Sequence, residues 1–86
     1  MTEHRIKQGD VIRHIRSMDV CFEVLSSTSQ ENSYSLYGVW LNMGQEQSWA
    51  LHNNPVYIDI RKEDLQNWKK TDTMDKCYRN SRWEAI

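Results

Sequence analysis

Five side chains in this 86-residue chain could ligate a soft metal or carry nucleophilic chemistry: His4, His14, His52, Cys21 and Cys77. A closed zinc site takes four such ligands, normally with two at a spacing such as CxxC or HxxxH, so that one turn aims both at one ion. No two of the five stand at that spacing. A catalytic thiol needs an electropositive, partly exposed setting. Cys21 is followed by Phe22 and Glu23, which push a thiol pKa upward, and it lies in an apolar run as a small core residue. Cys77 has Lys76 and Arg79 near it, a better setting, but a chain this short rarely builds a water-excluding pocket. Three glycines, none grouped, give no phosphate cradle. The expectation is no catalytic residue, no metal and no cofactor.

What remains is chemistry of association. Lys69-Lys70 and the run Lys76-Cys77-Tyr78-Arg79-Asn80-Ser81-Arg82-Trp83 interleave bases with aromatics, as phosphate neutralisation plus base stacking would use. Asp72, Asp75 and Glu84 dilute that patch. From Ser17 to Ile60 there is no Lys or Arg at all, yet the stretch carries Asp19, Glu23, Glu31, Glu46 and Asp59. The middle is thus −5 and each flank +2, which the net −1 conceals. A domain relying on phosphate contacts is usually basic overall, and this one is not. The middle also holds Tyr34, Tyr37, Trp40, Trp49 and Tyr57, more aromatics than one small core needs. Tyr and Trp dominate interface hot spots, and an acidic setting favours a basic partner surface or a cation held on a ring. Tyr57, Asp59, Glu23 and Trp49 are therefore the candidate partner-binding residues. Lys69, Lys70, Lys76, Tyr78, Arg79, Arg82 and Trp83 are the alternative, nucleic-acid-binding set.

These side chains must be positioned by a mainly β framework. Gly9-Asp10 is a turn, after which Val11–Arg16 begins a β-branched segment. Val20–Leu25 is a strand with Phe22 and Val24 on one face and Cys21, Glu23 and Leu25 on the other. Ser26–Ser33 contains no apolar residue and reads as a mobile hairpin loop. Tyr34–Met43 is the longest strand, apolar on both faces, so another element is expected to cover one of them. Gly38 within it marks a bulge or bend. Trp49–His52 is a short strand broken by Asn53-Asn54-Pro55. Val56–Arg61 alternates cleanly, with Val56, Ile58 and Ile60 inward and Tyr57, Asp59 and Arg61 outward. Phe22, Val24, Val56, Ile58 and Ile60 should share one core. A short helix is expected near residues 62–69, where Leu65 and Trp68 stand three apart. Residues 71–86 form a C-terminal extension, helix or tail, whose Met74, Tyr78, Trp83 and Ile86 are too apolar for a free tail.

The order of about five short strands, polar hairpins, one bend-making glycine and a single short helix resembles the small SH3-like (Tudor/KOW-like) β-barrels over roughly residues 8–70. In that resemblance Lys62–Trp68 is the helical turn before the last strand, and the departure is that last strand, since nothing after Lys70 reads as one. Eighty-six residues make a single domain. The sequence shows no run of about 18 apolar residues and no apolar leader. Cys21 and Cys77 then read as free thiols. The expectation is a cytoplasmic, non-enzymatic protein-binding module, a small accessory or phage-encoded protein engaging a host component. A nucleic-acid-associated barrel is the alternative, and no membrane partner is expected.

Overall fold

A computed structural model describes residues 5–17, 19–43, 48–50, 54–71 and 81–86. Seven strands and one 3-10 helix follow in order: β1 Val11–His14, β2 Val20–Ser29, β3 Ser33–Met43, β4 Ser48–Ala50, β5 Val56–Arg61, the 3-10 helix Lys62–Asn67, β6 Trp68–Thr71 and β7 Glu84–Ala85. They form one antiparallel sheet in the order β4-β3-β2-β1-β6-β7. β5 pairs with β3 beside residues 33–38, while β4 takes residues 41–43 of the same strand. Among the described residues no ladder joins β5 to β6, so the sheet curls without closing into a barrel.

The curl has a local cause. Val24 pairs with Gly38 and Ser26 with Tyr37, which leaves Leu25 as the extra residue of a β-bulge. A Cβ at Gly38 would overlap the Glu23 carbonyl oxygen and stand 2.8 Å from Phe22 Cε2. Glycine is what lets the two strands approach at that point, as its place in the longest strand implied.

Because side chains alternate along strands, the sheet has an inner and an outer face, and each buries a cluster. Inside lie Ile6, Ile12, Phe22, Val24, Tyr34, Leu36, Ile60 and Leu65, with Trp40, Ile58, Trp68 and Ile86 packed against them. Phe22 and Trp40 meet edge to face at 4.9 Å. Outside, Val11, Cys21 and Leu41 form a smaller cluster, covered by Val39 and by Trp83 from the C-terminal segment. The second apolar face of β3 is thus covered in part, as expected, and residues 81–86 pack back onto the sheet.

A turn clamps the N-terminal segment. Gly9 adopts φ 95°, open to glycine. The Gly9 N–H donates to Val24 O at 2.9 Å and the Val24 N–H to Asp10 O at 2.9 Å. The Lys7 N–H donates to Asp10 Oδ2 at 3.0 Å. Lys70 Nζ donates to Arg5 O at 2.6 Å and lies 3.7 Å from Asp10 Oδ2.

Four readings need correction. Residues 26–29 continue β2 and Ser33 opens β3, so the hairpin turn is only Gln30–Asn32. The apolar side of that ladder comes from β3, where Tyr34 and Leu36 are buried opposite Ser29 and Ser27. The short helix expected near residues 62–69 is the 3-10 helix Lys62–Asn67, but the expectation that nothing after Lys70 completes a last strand is overturned, because Trp68–Thr71 pairs with β1. β1 ends at His14, two residues before the expected Arg16. Val56 is 37% exposed at the start of β5, so the shared core includes Phe22, Val24 and Ile60, with Ile58 at its margin.

Candidate interaction face

The register brings scattered residues onto one surface. On the outer face Tyr37 stands opposite Tyr57, Ser35 opposite Asp59, Glu23 opposite Val39 and Arg13 opposite Lys69. Crossing from β5 to β6, the charged side chains read Asp59 and Arg61 on β5, Glu23 on β2, Arg13 on β1 and Lys69 on β6, with Arg61 paired to Glu63 at 3.5 Å. The segregation along the sequence becomes a gradient across the sheet, because the strand order β5-β3-β2-β1-β6 runs from the middle of the chain to its two ends.

At the acidic end Tyr57 is 74% exposed, the most exposed large apolar side chain among the described residues. Its ring meets Tyr37 at 4.7 Å with a 43° tilt. That cross-strand contact holds the phenol in place while leaving much of it in water. Asp59 lies two residues along the strand and exposed, and Glu23 two strands away and half-buried. Among the described residues neither carboxylate forms an ion pair. Leu25, pushed out by the bulge, adds a 38% exposed apolar group beside the Tyr37–Gly38 step. The surface is thus an anchored aromatic between two unpaired carboxylates.

The basic end is built differently. The Arg13 guanidinium lies 5.1 Å over the Trp83 ring, and its Nη1 donates to Ser17 O at 3.1 Å. Trp83 in turn covers the outer cluster. Lys69 and Arg82 are exposed, but Lys70 is engaged with Arg5 and Asp10.

Of the candidate partner-binding residues, Tyr57, Asp59 and Glu23 share this face. Trp49 lies in β4 opposite Asn42, five positions along β3 from Tyr37, roughly 17 Å of strand away. The structure does not bring it to the other three. Of the alternative set, Lys69 stands opposite Arg13 and Trp83 lies against the Arg13 guanidinium, Lys70 is held by Arg5 and Asp10 and Arg82 is exposed, while Lys76, Tyr78 and Arg79 lie outside the described residues, as do His4, His52 and Cys77. Sequence reasoning missed the roles of Tyr37 and Arg13, whose placement depends on strand register.

The remaining reactive groups have structural surroundings. Burial pushes the Cys21 thiol up to about 12, with Glu23 adding to the rise and Arg13 opposing it. His14 meets Trp68 edge-on at 5.3 Å, and its Nδ1 accepts the Arg16 N–H at 3.2 Å. Among the described residues no three His, Cys, Asp or Glu side chains gather as a metal site. A shallow cavity of about 440 Å³ is lined by Asn32, Ser33, Arg61, Lys62 and Glu63. Its bases are already matched: Arg61 pairs with Glu63 at 3.5 Å, and Lys62 lies 5.2 Å over the Tyr34 ring. No helix among the described residues is long and apolar enough to cross a membrane. Compared with known proteins, the chain matches no family model, no curated sequence and no solved structure.

Proposed function

We propose that this chain is a non-enzymatic binding module on a small SH3-like scaffold, which docks a protein partner through the acidic-aromatic end of its outer sheet face. One observation carries the reading: Tyr57 is 74% exposed yet braced by Tyr37, between Asp59 and Glu23. An exposed aromatic whose position is already fixed loses little freedom on docking, which is what makes Tyr an effective anchor. The flanking carboxylates favour a partner that brings Lys or Arg to the ring. The SH3-like assignment rests on element order: three meandering strands β1–β3, β5 pairing with β3 at the edge, a 3-10 turn, and β6 returning to pair with β1.

A nucleic-acid reading has one observation in its favour, the opposition of Arg13 and Lys69 beside Trp83. It draws less support, because Trp83 is spent on the outer cluster and Lys70 on the N-terminal clamp. Capture of partners from lysate with and without nuclease, followed by titration of the purified partner, tests the choice. A protein partner survives nuclease, and Tyr57→Ala weakens it by at least 2 kcal/mol, about thirtyfold in Kd. A partner released by nuclease, losing roughly a thousandfold in affinity between 50 and 200 mM salt, would overturn the proposal.

A further inference from the structure

The acidic-aromatic face ends at β5, and that strand is unusual as a sheet edge. Among the described residues β5 pairs only with β3. Its register runs unbroken from Val56 opposite Gly38 to Arg61 opposite Ser33, with no bulge. Exposed edges are normally blunted by charged side chains, lysine above all, by proline, a bulge, an inward-pointing charge or a very short strand. Val56-Tyr57-Ile58-Asp59-Ile60-Arg61 has no lysine, no proline, no bulge and no inward charge; its two charges, Asp59 and Arg61, stand on the outer face with opposite sign. Every second residue of such a strand aims its N–H and C=O away from its neighbour, so β5 presents a row of backbone donors and acceptors that no other strand among the described residues takes up.

We infer that β5 takes an added strand: an extended segment of the protein partner that pairs antiparallel with Val56–Arg61 and sets a basic side chain opposite Asp59. The inference rests on the proposed docking face and specifies how that face is used. Cross-strand neighbours on one face favour opposite charge. Along the outer face β5 presents Tyr57, Asp59 and Arg61, which calls for an acid, then a base, then an aromatic or β-branched residue at alternate positions of the incoming strand. A second copy of this chain fits poorly. The two longest symmetric self-pairings set Asp59 against Asp59 or against Tyr57, neither of which gives it a base, and the shift that matches Asp59 with Arg61 shortens the ladder.

The probe is a library of linear peptides displayed against the immobilised full chain. Selected sequences should carry a Lys or Arg with an acid at one alternate position and a β-branched or aromatic residue at the other. A selected peptide is then N-methylated one amide at a time and titrated by fluorescence anisotropy. Strand addition predicts a period of two: alternate methylations weaken binding about tenfold or more, and the intervening ones less than about twofold. Asp59→Lys should lose the peptide and regain binding when its base is exchanged for Glu, with circular dichroism confirming the fold. Failure to select peptides, a methylation profile without the alternation, or self-association abolished by Asp59→Lys would each overturn the inference. Loss of binding in Tyr57→Ala without the alternation leaves face docking standing and removes strand addition. Alternation that persists in Tyr57→Ala does the reverse.

Discussion

Gly38→Ala is the sharpest test of how the sheet is built, because the obstacle is backbone. The added methyl would overlap the Glu23 carbonyl oxygen on β2 and stand 2.8 Å from Phe22 Cε2, an atom of the inner core. Overpacking that side chains can relieve costs typically 1–3 kcal/mol. A carbonyl held in a ladder cannot swing aside, so β2 and β3 must separate locally and weaken hydrogen bonds worth about 1 kcal/mol each. We expect at least about 3 kcal/mol, against a total near 4–13 kcal/mol for a chain of this length. The melting temperature should fall by about 12–24 °C. Gly9→Ala is the control. Nothing lies within 4 Å of a Cβ there, but φ is 95°, so its cost is conformational and about 1–2 kcal/mol. Urea titration followed by tryptophan fluorescence reads both variants, since Trp40 lies on the ring of Phe22. A Gly38→Ala protein within 1 kcal/mol of wild type would refute the close approach and the bulge it supports.

Burial along the inward face of β5 is graded, so Ile60→Ala should cost about 2–5 kcal/mol and Val56→Ala under about 1, in the same titration. Because the thiol of Cys21 is pushed up from 9.0 to about 12, the fold favours its protonated form. That stabilisation is present below pH 9 and is lost as pH rises toward 12, by up to about 1.4 kcal/mol per unit, a slope Cys21→Ala should remove. In a Cys77→Ala background Cys21 should resist thiol reagents at pH 8 until urea unfolds the chain. Trp83→Ala should cost about 1–3 kcal/mol and speed that labelling, since Trp83 lies over the cluster containing Cys21. Tyr57→Ala should change stability by less than about 1 kcal/mol, which separates its role in binding from any role in folding.

What was legible in the sequence follows from where the pattern is written. β5 alternates within itself, so its faces were plain, and the departure from that period announced the turn at Lys62. The outer arm of β2 was not legible, because Ser26 to Ser29 carry no apolar side chain and draw their burial from Tyr34 and Leu36 across the ladder. β6 was hidden because Thr71 is its one buried residue and two lysines dominate its composition. β7 spans two residues, too few for any period. The same logic divides the candidate site. Tyr57 and Asp59 could be placed from one strand alone, whereas Tyr37 joins them only through the register of β3 on β5, and Glu23 only through that of β2 on β3.

The gradient across the outer face limits what the basic end can do. Arg13 and Lys69 stand on adjacent strands, and Glu23 stands on the next, opposite Val11. Strands lie about 4.8 Å apart, and the screening length at physiological salt is about 8 Å. A phosphate backbone laid across the bases therefore meets the field of Glu23 within two strand spacings, and Asp59 beyond it. Among the described residues the outward bases at that end are Arg13 and Lys69, and Glu23 interrupts them on the next strand. A protein surface is not bound to one sign of charge. It can set acids over β1 and β6 and a base over Asp59, and so follow the gradient instead of opposing it. Reversing Glu23 to Lys separates the two cases. It should weaken a protein partner and, by extending the basic track to β2, strengthen binding of a single-stranded oligonucleotide measured at low salt. Weaker oligonucleotide binding in that variant would show that the gradient does not govern what this face accepts.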